Sequence, residues 1–170
     1  MVFKNVIKDA VKVLKDVINP QENNKDKSFD IKNQIIEEIE KHDSIIIVRH
    51  VRPDGDCIGS SFGLRDILIA SFPNKKIYSV GDGVPEYLSF LGEEDIVTDD
   101  LYEQSLVIVV DTATSKRIAN DKFQNAKKII KIDHHIKDEE YCDYEYCDLE
   151  KYIQSKQKPL SRDEILHFLK

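Results

Sequence analysis

The residues best suited to chemistry in this 170-residue sequence are aspartates and histidines that occur in three short clusters. The clusters are His50 with Asp54 and Asp56, then Asp111, and then Asp133-His134-His135. Each follows a run of apolar residues that predicts a buried strand. A single aspartate after a strand usually caps a helix or forms a turn. That interpretation does not explain the histidines, so the three clusters together indicate a functional site.

This combination of carboxylates and imidazoles predicts a site for divalent cations. Neighbouring carboxylates repel one another and cannot all stay ionised without compensation. Oxygen-rich ligand sets with a few imidazoles suit Mn²⁺ or Mg²⁺, whereas structural zinc sites are built mainly from thiolates. Two such cations that share a carboxylate would form a clamp for hydrolysing a phosphoester bond.

The segments around the clusters alternate between strands and helices. Apolar runs predict strands at 45–48, 106–110 and 129–132. A further strand is predicted at 76–80 and a last edge strand at 144–147. Helical spacing predicts one helix that begins at Ser28 and another from Ile58 to Ile69, ending before Pro73. The alternation is typical of an α/β fold, an open and mainly parallel sheet with helices on both faces. Ligands of such sheets bind beyond the carboxyl ends of the strands, where the clusters lie.

Composition divides the chain into three parts. Residues 1–27 contain an amphipathic helix followed by a polar linker, and residues 28–150 form the α/β domain. Residues 151–170 form a helical tail, in which Ser161 and Glu164 make a capping box. The first helix could pack on the domain, on another protein or on an acidic membrane surface, and packing on the domain is favoured.

Charge and cysteine content narrow the class of protein. The net charge of −7 consists of −12 on residues 28–150, offset by +2 before them and +3 after them. Such an acidic body argues against long duplex DNA as a partner, because affinity for a duplex comes largely from Lys and Arg.

Three cysteines are too few for a disulfide framework and suit a reducing compartment. No apolar run is long enough for a membrane span. The sequence therefore predicts a cytoplasmic protein.

The same residues resemble motifs I to III of the DHH phosphoesterases. The motifs are HVRPDGDCIGS at 50–60, DTA at 111–113 and DHH at 133–135. Within the family, the sequence is most similar to the nanoRNase/pAp-phosphatase branch, and Gly81-Asp82 and PEYLSFL at 85–91 also fit that branch. The resemblance covers about residues 30–148. It implies a DHH-like catalytic domain over residues 28–150, with a parallel sheet and a manganese cofactor.

Carried over position by position, the resemblance implies two Mn²⁺ ions, with Mg²⁺ as the alternative cation. The implied ligands of one ion are His50, Asp54 and Asp111. Those of the other are Asp56, Asp111 and His134, so that Asp111 bridges the two. The implied activity is hydrolysis of short oligoribonucleotides or a small phosphonucleotide such as pAp through a two-metal mechanism.

The resemblance also implies catalytic and positioning roles. Asp133 would hold His134 in orientation, and His135 would contact the scissile phosphate or assist the leaving oxygen. Arg52 and Arg117 are candidate phosphate contacts, although either could equally form a surface ion pair.

Two features of the family have no counterpart before Lys170. One is a fourth motif, which supplies another metal-binding aspartate, and the other is a glycine-rich substrate domain. Asp148 is too close to the 133–135 cluster to supply that ligand. The alternative function is therefore a truncated or non-catalytic DHH-like domain that binds nucleotide, metal or a protein partner. A homodimer is left open.

Other candidate motifs have simpler explanations. Gly81 and Gly83 lack the third glycine of a dinucleotide-binding fingerprint and predict a turn. Cys57 lies where a loop enters a helix, and buried packing explains it better than nucleophilic catalysis does. His42 lies away from the clusters in a helical pattern and is expected at the surface.

Overall fold

A computed structural model describes residues 27–135 and 139–147 of the chain. The helices are α1 (Lys27–Lys41), α2 (Gly55–Ser71) and the four-residue α3 (Asp99–Tyr102). Short 3₁₀ helices span Glu86–Leu91, Ser115–Arg117 and Asp121–Asn125. The strands are β1 (Ser44–Val48), β2 (Lys76–Val80), β3 (Leu106–Val110), β4 (Lys128–Asp133) and β5 (Tyr144–Cys147). The predicted amino-terminal helix and helical tail lie outside these residues, as does the predicted linker except for Lys27, which begins α1. The domain boundaries remain predictions.

The five strands form one sheet in the order β2-β1-β3-β4-β5, and every neighbouring pair is parallel. This arrangement confirms the predicted α/β fold with an open parallel sheet. The chain leaves β1 towards β2 on one side and leaves β3 towards β4 on the other. The crevice between β1 and β3 is therefore the switch point at which such sheets bind ligands.

Two apolar layers cover the central strands. Alternate side chains of β1 and β3 point to opposite faces, and both strands are buried along their whole length. On one face Ile45 and Ile47 pack with residues of α1 and α2. On the other face Ile46 and Val48 pack with Tyr102 of α3 and with the 3₁₀ segments. Burial on both faces explains why the sequence of these strands is continuously apolar rather than alternating.

His42 is buried, which corrects the expectation that it lies at the surface. Its ring folds back on the last turn of α1, with Nδ1 2.7 Å from the Glu38 carbonyl oxygen. The last carbonyls of a helix have no partner within the helix, so a donor just beyond its end is favourable there. A terminal residue that caps its own helix is less exposed than its helical spacing suggests.

None of the helices in residues 27–135 and 139–147 combines the length and apolar character that crossing a membrane requires.

Candidate metal centre

A short antiparallel pairing fixes His50 beyond the carboxyl end of β1. The His50 backbone forms a bridge with Ile118, and the Val51 N–H donates to the Arg117 carbonyl oxygen at 2.7 Å. The His50 ring is buried, and its Nδ1 lies 2.8 Å from the Val51 carbonyl oxygen. Because a carbonyl only accepts, Nδ1 carries the proton and Nε2 keeps a lone pair. Nε2 lies 3.9 Å from Asp111 Oδ2.

Asp54 and Asp56 lie at the amino terminus of α2. Asp54 is the N-cap, and its Oδ1 accepts from the N–H groups of Asp56 at 3.1 Å and Cys57 at 3.0 Å. Asp56 Oδ1 is buried and has no hydrogen-bond partner among the described residues. Burial, followed by the nearby Asp111 carboxylate, raises the pKa of Asp56. A bound cation would give this oxygen a partner and favour the ionised carboxylate.

Asp111 is the central residue of the cluster. It follows β3 with φ of +48°, and Arg52 is the other non-glycine residue with positive φ in the described chain. Aspartate tolerates this left-handed conformation better than most residues, and such strain concentrates at functional sites. Asp111 Oδ1 lies 3.1 Å from His134 Nε2 and 3.8 Å from His135 Nδ1. Its carboxylate therefore faces imidazoles that follow β1 and β4.

His134 lies between two of the carboxylates. In addition to its close approach to Asp111, its Nε2 lies 3.9 Å from Asp56 Oδ2. The hydrogen bond with Asp111 is the main cause that raises the pKa of His134. The structure thus brings together Asp56, Asp111 and His134, which the sequence predicts as one ligand set.

Asp133 orients both histidines that follow it. Its Oδ1 accepts from the His134 backbone N–H at 2.8 Å and lies 2.7 Å from His135 Nδ1. A carboxylate accepts, so His135 Nδ1 is the donor and its Nε2 points away from Asp133. Burial alone would raise the pKa of Asp133, but the hydrogen bond from His135 and the charge of Lys131 outweigh burial and lower it. Asp133 is therefore an anion that holds the imidazole of His135 and the backbone of His134.

Lys131, whose side chain is fully buried beside the site, is not among the residues that the sequence predicts. Lys131 Nζ lies 3.3 Å from Asp133 Oδ2 and 3.1 Å from Glu145 Oε1 on β5, and it donates to the Ala113 carbonyl oxygen at 3.2 Å. It therefore connects the segments that follow β3 and β4 with the edge strand. A lysine among isoleucines in a predicted buried strand is the signal that could have revealed it, because a buried charge needs a partner.

Arg49 is a second buried cation that the sequence did not single out. Its Nη2 lies 2.6 Å from Glu94 Oε2, and Glu94 also accepts from the Gly83 N–H at 3.0 Å. A β-carbon on Gly81 would lie 2.3 Å from Arg49 Cζ, so only glycine leaves room for the guanidinium. Arg49 and Glu94 thus connect the predicted turn at Gly81 and Gly83 to the end of β1, next to His50.

The two arginines proposed as phosphate contacts are both exposed. Arg52 forms no ion pair with the described residues and lies in the loop between His50 and Asp54. Arg117 lies on the neighbouring segment, whose backbone pairs with Val51. The backbone therefore brings both arginines to the same rim of the cluster, but it does not direct either side chain to a carboxylate.

Two groups of ligand atoms in residues 27–135 and 139–147 are compact enough to hold a cation. The groups are Asp111, Asp133, His134 and His135, and His50, Cys57 and Asp111, and within each the ligand atoms lie within 4.8 Å of one another. Asp111 belongs to both. These donors, together with the unpartnered oxygen of Asp56, fit a divalent cation.

Residues 44–159, more than half of the chain, match the DHH family, N-terminal domain. The chain therefore belongs to the DHH family, as its three motifs predict. A solved structure with a similar fold is that of an exopolyphosphatase-related protein from Bacteroides fragilis. That similarity has a TM-score of 0.59 and 29% sequence identity, and it covers 69% of this chain and 38% of the other.

Curated relatives include enzymes that act on phosphoesters. The bifunctional oligoribonuclease and PAP phosphatase NrnA of Bacillus subtilis is 44% identical over 113 residues, which are 66% of this chain and 36% of that protein. The probable NrnA of Streptococcus mutans is 43% identical over 109 residues, 64% of this chain and 35% of the relative. The cyclic-di-AMP phosphodiesterase PdeA of Listeria monocytogenes is 28% identical over 141 residues, 72% of this chain and 21% of that enzyme. The chain thus spans about a third or less of the length of these relatives.

Proposed function

We propose that this domain hydrolyses phosphoester bonds of short oligoribonucleotides or of a small phosphonucleotide such as pAp, with divalent cations held at the Asp111 cluster. The observation that carries the proposal is the position of Asp111. Its two carboxylate oxygens face His134 on one side and His50 on the other, at 3.1 Å and 3.9 Å from the ring nitrogens. This geometry supports a role for Asp111 as a shared ligand of two cations.

The donor types support Mn²⁺, with Mg²⁺ as the alternative. Asp54 would complete the site of His50 and Asp111, and Asp56 would complete the site of His134 and Asp111. Carboxylate oxygens dominate both sets, which favours hard cations, and the imidazoles favour Mn²⁺ over Mg²⁺. Cations held by these residues would supply Lewis-acid chemistry for phosphoester hydrolysis.

The residues around the cluster would position the substrate and manage protons. Asp133 fixes the His135 ring through Nδ1, at 2.7 Å, so that Nε2 is directed away from it. The ring is only partly buried. His135 could thus approach the scissile phosphate or the leaving oxygen, while Arg52 and Arg117 at the rim could contact further phosphate oxygens.

Two observations support a small substrate. The acidic body, with −12 on residues 28–150, opposes a long polyanion, whereas one or two phosphates can be neutralised by the cations themselves. The named activities of the Bacillus subtilis relative, on oligoribonucleotides and PAP, agree with this size. The chain spans about a third of that relative, so the site and the charge of the domain are the main support for a small substrate.

The test is hydrolysis by the 170-residue chain in the presence of Mn²⁺. We expect release of mononucleotide from a ribodinucleotide and of phosphate from pAp, with little action on long duplex DNA. Asp111→Asn should abolish both activities, because it removes charge from both cation sites while keeping the size of the side chain.

The matched control is Asp100→Asn, which changes an exposed aspartate at the start of α3 and should leave hydrolysis at the level of the natural chain. Hydrolysis that survives Asp111→Asn would contradict the proposal. Cation binding without any hydrolysis sensitive to Asp111 would favour a binding domain instead.

A further inference from the structure

We propose that Cys57 gives the Asp111 cluster a binding site for thiophilic divalent cations such as Zn²⁺ and Cd²⁺, formed by His50, Cys57 and Asp111. This inference uses the same cluster as the proposed function, but it concerns a different class of cation and does not depend on hydrolysis. Such a cation would compete with Mn²⁺, because both require Asp111.

The three side chains already converge. The Cys57 sulfur, a ring nitrogen of His50 and a carboxylate oxygen of Asp111 all lie within 4.8 Å of one another. All three residues are buried, and Cys57 is a free thiol with no exposed surface. The prediction that Cys57 is buried is therefore confirmed, but its sulfur faces ligand atoms and not apolar packing alone.

Local structure explains this orientation. Cys57 lies in the first turn of α2, where its backbone N–H donates to the Asp54 cap at 3.0 Å. The cap fixes the first turn against the loop that carries His50. Because His50 Nδ1 donates to the Val51 carbonyl oxygen, the lone pair of His50 lies on Nε2, the ring nitrogen that faces Asp111.

The donor set differs in chemistry from the rest of the cluster. One sulfur, one imidazole and one carboxylate resemble the mixed ligand sets of zinc, whereas the sets that contain Asp54 or Asp56 are richer in oxygen. Zn²⁺ also exceeds Mn²⁺ in the general order of affinity for such sites. On binding, the Cys57 thiol would release its proton to solvent, and the thiolate and Asp111 would together balance the two positive charges.

The experiment follows the ultraviolet charge-transfer absorption of a cadmium–thiolate bond during titration with Cd²⁺. The double variant Cys142→Ser/Cys147→Ser is used, because the chain has three cysteines and this change leaves Cys57 as the only thiol. We expect the absorption to saturate at one Cd²⁺ per chain. Adding Asp111→Asn should weaken Cd²⁺ binding by more than the roughly 10–100-fold that loss of an outer-shell partner costs.

The absence of the absorption in the Cys57-only protein would overturn the inference, as would Cd²⁺ binding that is insensitive to Asp111→Asn. If the double variant fails to fold by circular dichroism, the natural chain is compared with Cys57→Ala. That change must then remove one cadmium–thiolate contribution and lower the ratio of Cd²⁺ to Mn²⁺ affinity. Failure of hydrolysis with Mn²⁺ would refute the proposed function without affecting this absorption, so the two proposals fail separately.

Discussion

The ammonium of Lys131 lies 3.3 Å from the Asp133 carboxylate, and neither side chain has more than 1% of its surface exposed. Asp133 in turn holds His135 and the backbone of His134, so the ion pair supports the residues that face Asp111. Lys131 also reaches Glu145 on the edge strand. The geometry of the cluster thus depends on a buried charge that lies outside the three motifs.

We expect Lys131→Met to destabilise the fold by about 3–5 kcal/mol, because it leaves the carboxylates of Asp133 and Glu145 without their buried cation. Lys128→Met is the matched control on the same strand. Lys128 pairs with Asp143, whose side chain is 42% exposed, so solvent screens the pair and its loss should destabilise the fold much less than Lys131→Met does. Denaturant unfolding of both variants measures the difference. Equal free energies of unfolding would show that the Lys131 pairs contribute nothing specific.

Substitutions of Asp54 should separate its capping role from its proposed role as a ligand. Asparagine caps helices as well as aspartate does, so Asp54→Asn should change stability little, whereas Asp54→Ala should cost about 1 kcal/mol. Both should weaken Mn²⁺ binding, because neither supplies a carboxylate. Thermal unfolding and calorimetric titration provide the two readouts. Mn²⁺ binding by Asp54→Asn at the affinity of the natural chain would mean that Asp54 is a cap alone.

The stabilisation by Mn²⁺ should increase with pH. The hydrogen bond between His134 and Asp111 raises the pKa of His134. Without a cation, this pair therefore stabilises the fold fully at pH values below the ordinary pKa of histidine. That contribution is lost as the pH rises through the raised value. Burial and the charge of Asp111 raise the pKa of Asp56. Ionisation of Asp56 as the pH rises therefore also lowers the stability of the cation-free fold.

Mn²⁺ requires the neutral imidazole and the ionised carboxylates, so it competes with these protons. We therefore expect a larger increase in Tm on adding Mn²⁺ at about pH 8 than at about pH 6. A larger increase at the lower pH would show that these groups do not bind the cation.

Much of the fold follows from local patterns. The buried strand β3 carries a continuous apolar run, and its observed bounds are the predicted ones. The bounds of β2 are also the predicted ones, although only alternate residues of that strand are buried. Parallel pairing follows from the alternation with helices, and it places the three clusters at one edge of the sheet. A continuous apolar run reveals the central strands β1 and β3 because both of their faces are buried.

Arg49 and Lys131, which the sequence did not reveal, have partners that are distant along the chain. Arg49 pairs with Glu94, 45 residues away, and no local pattern predicts which acid meets a buried arginine. Lys131 is satisfied by β5 and by the segment after β3, which meet only in the folded sheet. The burial of His42 accompanies a single hydrogen bond that caps α1. A single hydrogen bond leaves no periodic pattern in the sequence, so helical spacing does not predict it.

Asp111 is expected to bind divalent cations together with residues from three strand ends. Calorimetric titration with Mn²⁺ tests it most directly, on the natural chain, on Asp111→Asn and on the exposed control Asp100→Asn. We expect the natural chain and the control to bind Mn²⁺ alike, and Asp111→Asn to lose binding at both sites while keeping the circular dichroism spectrum of the fold. If the natural chain does not bind Mn²⁺, or if Asp111→Asn binds it equally well, Asp111 is not a ligand of divalent cations.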